Sequence, residues 1–439
     1  MEKVVNIIGA GLAGCECAYI LANNNIKVKL YEMKPNKKSE AHKLDTFAEL
    51  VCSNSLKSDE ITNACGLLKK EMQILDSMFV KVAHENSLPA GQALAVDREK
   101  FSQSITNIIK SLDNVEVIYE EITDLSKLDG ITVIATGPLT SDALFENISK
   151  TISKDSLYFF DAAAPIVEKD SIDMNVAYFM DRYGTYGKGD YLNLPMTKEQ
   201  YDNFYTELIN ARTANRHEFD DIKLFEGCMP IEYMAKRGEK TLVFGPLKPK
   251  GLEKDLENKP YAVVQLRAEN EEKSLYNLVG FQTSLAFPEQ KRVFSMIPGL
   301  ENASFVRYGV MHKNIFINGG KLLNNDFSLK ENPDIYFAGQ ISGVEGYVES
   351  AASGLMVAYQ IIAKFSNKKL EFPTCTMLGS LAKHISTESK DFQPMNANFG
   401  IIKPLEYRVK DKKEKYQILA NIAIESITKF KEDMRWLFG

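Results

Sequence analysis

The chain has 439 residues, of which 44% are hydrophobic and 26% charged, enough for two or three domains with cores of their own. A formal charge of −6 excludes a protein coated all over with base, though it leaves room for a local basic face. No run of about 18 apolar residues occurs, which excludes an apolar membrane-spanning helix.

The first strand is expected at Val4 to Ile8. It leads into Gly9-Ala10-Gly11-Leu12-Ala13-Gly14, then a helical pattern to about Asn24 and a second strand from Ile26 to Glu32. In this order of strand, G-x-G-x-x-G, helix, strand and acid, the glycines permit a tight turn and bring a pyrophosphate close to N–H groups at the helix start. Glu32 stands where a carboxylate accepts hydrogen bonds from a ribose. Together these features predict a dinucleotide-binding unit. The next stretch, "FAELVCSNSLKSD" (Phe47 to Asp59), sets Cys52 among polar residues rather than in an apolar run. Phe101 to Leu112 reads as a helix, Val115 to Ile122 as a strand, and Ile131 to Gly137 as an apolar strand running into a small turn.

From about Phe159 aromatic and charged residues mix, and "DRYGTYGKGDY" reads as an exposed loop. Thr197 opens a helix, with Gln200 three residues on giving a capping box. "DIYFAGQISGVEGYVESAASGLMVA" (Asp334 to Ala358) restores the first pattern. A strand is expected to end at Gly339, followed by a glycine-rich turn and a helix opening with Ala351, Ala352, Ser353 and Gly354. This places a second helix N-terminus against a phosphate or flavin edge. The expected fold is therefore α/β: a Rossmann-type FAD-binding domain in two parts, residues 1–158 and 300–439, around an inserted α/β domain at 159–299. "KDKKEK" (Lys410 to Lys415) reads as a solvated helix face.

The six cysteines, Cys15, Cys17, Cys52, Cys65, Cys228 and Cys375, include no C-x-x-C pair. Zinc and thioredoxin-like sites are thereby set aside, and free thiols in a reducing compartment fit. The N-terminus shows no charged n-region followed by an apolar stretch and a cleavage site, so a cytoplasmic location is expected.

The strings "GAGLAGCE", "FAELVCSNSLKSD", "TNACGLLKKEM", "ALAVDRE", "EGCMPIEYMAKRG", "FGPLKPKGL", "GFQTSLAFPEQKRVF", "MIPGLENASFVRYGVMH", "FAGQISGVEGYVESAASGL" and "FQPMNANFG" span nearly the whole chain. In them the sequence resembles the folate- and FAD-dependent tRNA (uracil-5-)-methyltransferases, relatives of the GidA-type flavoproteins. The resemblance implies FAD held by Gly9, Ala10, Gly11, Leu12, Ala13, Gly14, Glu32, Gly137, Gly339, Gln340, Gly343, Gly346 and Tyr347. It implies 5,10-methylenetetrahydrofolate as carbon donor, with its pterin stacked on His312, and NADPH or NADH as reductant. The partner implied is structured RNA, either the T-loop uridine of tRNA or, by the same chemistry, a uridine of 23S ribosomal RNA.

Carbon 5 of uracil is a poor nucleophile. Addition of a thiolate at carbon 6 makes an enolate that attacks an electrophilic methylene, and a base then removes the carbon-5 proton. Thiols suit both tasks. The family pattern places them at Cys228, as nucleophile, and Cys52, as general base; the other four cysteines read as spectators. Lys236, Arg237, Arg292 and Lys403 are candidates for RNA phosphates. The sequence departs from the pattern at Lys43, Leu44 and Leu194, where other residues are usual. A reading of another class, a lapsed flavoprotein serving as an RNA-binding scaffold, is opposed by the retention of both cysteines and His312.

Overall fold

A computed structural model of the chain describes residues 3–39, 41–151, 156–162, 164–214, 229–253, 259–268, 273–309, 311–388, 392, 394–407 and 409–437. Five short apolar strands form a wholly parallel sheet in the order Ile335–Phe337, Ile131–Ile134, Val4–Ile8, Lys27–Tyr31, Val115–Ile118. Val5, Ile7, Val28, Leu30 and Val133 are buried, as expected of strands covered on both faces. The edge strand Ile335–Phe337 comes from 200 residues beyond its neighbour in sequence (335 against 131–134), so the domain is discontinuous. Two helices pack closely on this sheet. One, Leu12–Asn23, follows the glycine turn. The other, Tyr347–Phe365, is buried from Val348 to Ala363, the pattern of a helix enclosed on all sides.

The later helix starts at Tyr347, not at the small residues near 351. Those residues serve packing instead. A Cβ on Gly354 would lie 2.2 Å from the carbonyl oxygen of Ala13 on the facing helix, so the two backbones meet with nothing between them. Elsewhere the expected bounds move: the strand at 115 stops at Ile118, and the helix expected at Phe101 to Leu112 runs Arg98–Lys110, capped by Asp97.

A second core lies within residues 167–305. Its sheet has the order Tyr178–Phe179, Tyr191–Met196, Ala262–Ala268, Leu275–Leu278, Ile166–Glu168, Phe305–Arg307, with antiparallel neighbours. The last strand falls beyond residue 299, because it completes the edge beside Ile166–Glu168. Helix Lys198–Asn210 covers this sheet and opens with the capping box of Thr197 and Gln200. An antiparallel pair, Ser156–Ala162 with Met311–Ile317, carries the chain into and out of this unit. A small sheet of Ser55–Ser58, Ala93–Val96 and Ser87–Leu88 stands beside the first core. Among the described residues no helix is long and apolar enough to cross a membrane.

Two stability predictions follow from the buried faces of helix Leu12–Asn23. Alanine normally stabilises a helix over glycine by about 1 kcal/mol, but Gly354→Ala is expected to destabilise by about 1–3 kcal/mol through overpacking, read as a lower Tm. Glu16 is fully buried. Its Oε2 accepts the Phe79 N–H at 2.8 Å, while Oε1 has no partner among the described residues. Burial pushes its carboxyl up to about 7 from an ordinary 4.5. A raised folded value means a stabilisation that is complete below pH 4.5 and lost as pH rises through 7. Glu16→Gln should therefore change stability little at pH about 4 and raise it at pH about 8.5, by up to about 3 kcal/mol; urea unfolding at both pH values measures it.

Candidate functional site

At the carboxyl ends of the parallel strands lies a cavity of about 390 Å³. Gly9 turns the chain there at φ +101°, its N–H donating to the Tyr31 carbonyl at 2.7 Å. A Cβ at Gly9 would stand 2.7 Å from the Ala135 carbonyl, so glycine alone allows the turn to lie this close to the next strand. Gly11 caps helix Leu12–Asn23 without a side-chain hydrogen bond, and Gly11, Leu12 and Ala13 line the cavity. The first-turn N–H groups of that helix are thus offered to an anion. Gly346 caps helix Tyr347–Phe365 in the same way, and it too lines the cavity. Two helix N-termini therefore converge on one space.

Glu32 is buried on the cavity wall. Its Oε2 accepts the Ala10 N–H at 2.8 Å and its Oε1 the Lys34 N–H at 2.9 Å. The carboxylate pins the glycine turn to the end of the second strand, and its remaining acceptor positions can take hydroxyl groups. Gly137, Gly339, Gln340 and Tyr347 share the cavity wall.

Gly14 and Gly343 are closely packed by the protein itself. A Cβ on Gly14 would lie 1.9 Å from the Gly9 carbonyl, and one on Gly343 2.6 Å from the Phe392 ring. Both glycines answer to the protein's own packing. His312 stands in strand Met311–Ile317, in register with Asp161. Cys228 lies outside the described residues.

Cys52 is half-buried on the cavity wall. Its loop is tied first to the glycine turn: the Ala48 N–H donates to the Ala10 carbonyl at 2.9 Å, and the Phe47 N–H to Thr106 Oγ1 at 2.8 Å. Arg98 then donates to the carbonyls of Leu50 and Cys52 at 2.9 and 3.3 Å. Arg307 donates to the carbonyl of Val51. The N–H groups of Cys52 and Ser53 donate to the Tyr347 hydroxyl oxygen at 2.7 and 3.2 Å. Arg267 donates to Ser53 Oγ at 2.7 Å and to Asn54 Oδ1 at 2.9 Å. Burial, and next the neighbouring Cys52, push the Tyr347 hydroxyl well above its ordinary value, so it stays protonated and neutral.

Farther along the wall Lys57 Nζ stands 3.2 Å from Glu349 Oε1, which also accepts the Ala397 N–H at 2.9 Å. Burial alone would lower the Lys57 ammonium, but the Glu349 carboxylate outweighs it and holds it above its ordinary value.

The spectator cysteines differ in kind. Cys15, Cys17 and Cys65 are buried. Burial pushes the Cys65 thiol up to about 12 and raises the other two as well, which keeps all three as thiols. Cys375 donates to Ser426 Oγ at 3.2 Å. Of the candidate phosphate ligands, Lys236, Arg237 and Lys403 are exposed, while the Arg292 guanidinium is engaged by Glu207 and by Glu289 at 2.7 Å. Reasoning from sequence missed Arg98, Arg267 and Arg307 as site residues. The usable signal was Arg267, a charge inside the apolar run "AVVQLRA".

The model of the family described as glucose inhibited division protein A matches residues 4–369. The chain belongs to that family. The methylenetetrahydrofolate–tRNA-(uracil-5-)-methyltransferase TrmFO of Fusobacterium nucleatum is 57% identical to this family member, over 97% of this chain and 98% of its own. Those of Acetivibrio thermocellus and Halalkalibacterium halodurans are each 54% identical over 98% of this chain and 99% of their own. The solved structure of Aquifex aeolicus GidA in its form I crystal has a TM-score of 0.70 at 16% identity, over 99% of this chain and 78% of that one. This last likeness is one of fold: a mixed α/β architecture built on a Rossmann-like parallel sheet.

Proposed function

We propose that the chain transfers a one-carbon unit from methylenetetrahydrofolate to carbon 5 of a uridine in tRNA, with FAD as cofactor. The observation that carries this reading is the bond from Ala48 N–H to the Ala10 carbonyl at 2.9 Å. It puts the Cys52 loop and the dinucleotide turn in a single wall. The relatives named as tRNA-(uracil-5-)-methyltransferases, identical at more than half of all positions over nearly the whole chain, support the substrate and the carbon donor.

The residues present fit FAD. Gly9, Gly11 and the N-terminus of helix Leu12–Asn23 suit a pyrophosphate, and Glu32 suits a ribose. When bound, FAD supplies the redox link between a reduced nicotinamide, NADPH or NADH, and the one-carbon unit. The chain's own residues act on the uridine. Cys228 adds through sulfur to carbon 6, which turns carbon 5 into a nucleophile. Cys52 takes the carbon-5 proton after carbon 5 has bonded to the incoming carbon. With that proton removed, the bond from the incoming carbon to its donor nitrogen breaks and leaves an exocyclic methylene; the two electrons that FAD would relay reduce it to methyl as the Cys228 sulfur departs from carbon 6 and the ring is restored. Tyr347 and Arg98 fix the backbone on either side of the Cys52 thiol.

The direct test is nucleoside analysis of tRNA and 23S rRNA from cells lacking the gene. Loss of 5-methyluridine from tRNA is expected, and loss confined to rRNA would overturn the choice of substrate. Gly11→Asp should fold, since a Cβ there meets nothing nearer than 3.9 Å. It should nevertheless be colourless, because a carboxylate then occupies the anion site; the flavin absorbance of the purified protein reads this. Cys228→Ala should abolish both methylation and covalent trapping by RNA bearing 5-fluorouridine. Cys52→Ala should lose about 10²–10⁴-fold in turnover and still be trapped. Trapping that survives in Cys228→Ala but disappears in Cys52→Ala would reverse the two roles.

A further inference from the structure

We propose that Arg267 is a positioning residue for this reaction, and that from the second unit it sets where Cys52 stands in the cavity. The proposal rests on the reading of Cys52 as the base. Arg267 occupies the strand Ala262–Ala268, in register with Asn277, and is only 6% exposed. Its guanidinium leaves that sheet and crosses to the other unit. There Nε donates to Asn54 Oδ1 at 2.9 Å and a terminal nitrogen to Ser53 Oγ at 2.7 Å. These are the two residues that follow Cys52.

Asn54 is itself fully buried. Its amide donates to the Ala268 carbonyl at 2.9 Å and to the Val96 carbonyl at 3.2 Å. Its backbone carbonyl accepts the Val96 N–H at 3.0 Å. Asn54 is thus locked to the second unit at two neighbouring residues, Arg267 and Ala268, and to the first unit at Val96.

Burying a guanidinium costs several kcal/mol, and an apolar side chain of like volume often serves stability as well or better. Arg267 is therefore a poor choice for packing alone. It is a good choice for geometry, because its planar fork fixes two acceptors at once. A reacting group has to stand within about 0.5 Å of its productive place, and a misplacement of about 1 Å can cost about 10²-fold in rate. Arg98 and Tyr347 hold the loop from the dinucleotide side. Arg267 holds it from the unit within which Cys228 falls in sequence. Lysine keeps the charge but cannot reproduce the fork.

The test compares Arg267→Lys, Ser53→Ala and the double variant with the parent. In Arg267→Lys, kcat per bound flavin should fall about 10–100-fold, with KM for tRNA nearly unchanged. Tritium release from carbon 5 of labelled uridine in the tRNA should fall in step, while the adduct with 5-fluorouridine RNA still forms. Ser53→Ala, which removes one acceptor and leaves the buried charge in place, should lose less, and the double variant should lose no more than Arg267→Lys. Should Arg267→Lys not fold, Ser53→Ala alone carries the comparison. A readout without RNA separates this inference from the proposed activity: the rate at which iodoacetamide labels Cys52, read by peptide mass, should change severalfold in Arg267→Lys. An unchanged labelling rate overturns the proposal. So does full kcat per bound flavin in both single variants, or a loss confined to flavin content or Tm.

Discussion

The site depends on the fastening of one short loop. Residues 47–54 make no regular strand or helix, so their backbone groups find no partners in a ladder of their own. Buried N–H and C=O groups left unpaired would each cost about 1–3 kcal/mol. Arg98, Arg307 and Tyr347 supply those partners from three distant parts of the chain. A loop held by partners from elsewhere takes the shape that its surroundings impose. The position of Cys52 is therefore a property of the tertiary fold.

This explains why the fold is discontinuous around the site. The first Rossmann unit supplies the glycine turn and Glu32, and the loop starts from that turn through Ala48 and Ala10. The returning segment supplies the edge strand Ile335–Phe337 and, ten residues after its end at Phe337, Tyr347. The close contact of Gly354 with Ala13 brings the second helix start onto the same cavity as the first. Residues far apart in sequence thus share a wall because two helix backbones touch. Parallel sheets gather sites at the carboxyl ends of their strands, and here both helix N-termini and the cysteine loop meet there.

Much of the first unit was legible because its signal is local. Strand, glycines, helix, strand and Glu32 fall within about thirty residues, and each carries its own physical constraint. The capping box at Thr197 was legible for the same reason. Errors arose where a local pattern had a distant cause. The small residues at 351–354 look like room for a phosphate, yet Gly354 is small because Ala13 stands against it. Tyr347 lines the cavity, and its hydroxyl partner lies 295 residues away, a pairing that no spacing rule reaches. An arginine in an apolar strand announces that it needs a partner. It does not announce which one.

The cysteines show how environment sorts one residue type into two roles. Buried among apolar neighbours, Cys15, Cys17 and Cys65 are pushed away from ionisation, and a thiol held that way is neither a base nor a nucleophile. Cys52 instead follows a backbone held by Arg98, Arg307 and Tyr347, in a half-buried position on the cavity wall. Its polar neighbours are engaged by the protein: Asn54 is completely buried and Ser53 is bonded to Arg267. The polar residues around this thiol are its anchors. They are polar because a guanidinium from another sheet must have something to hold, and that grip keeps Cys52 on the cavity wall rather than in the core.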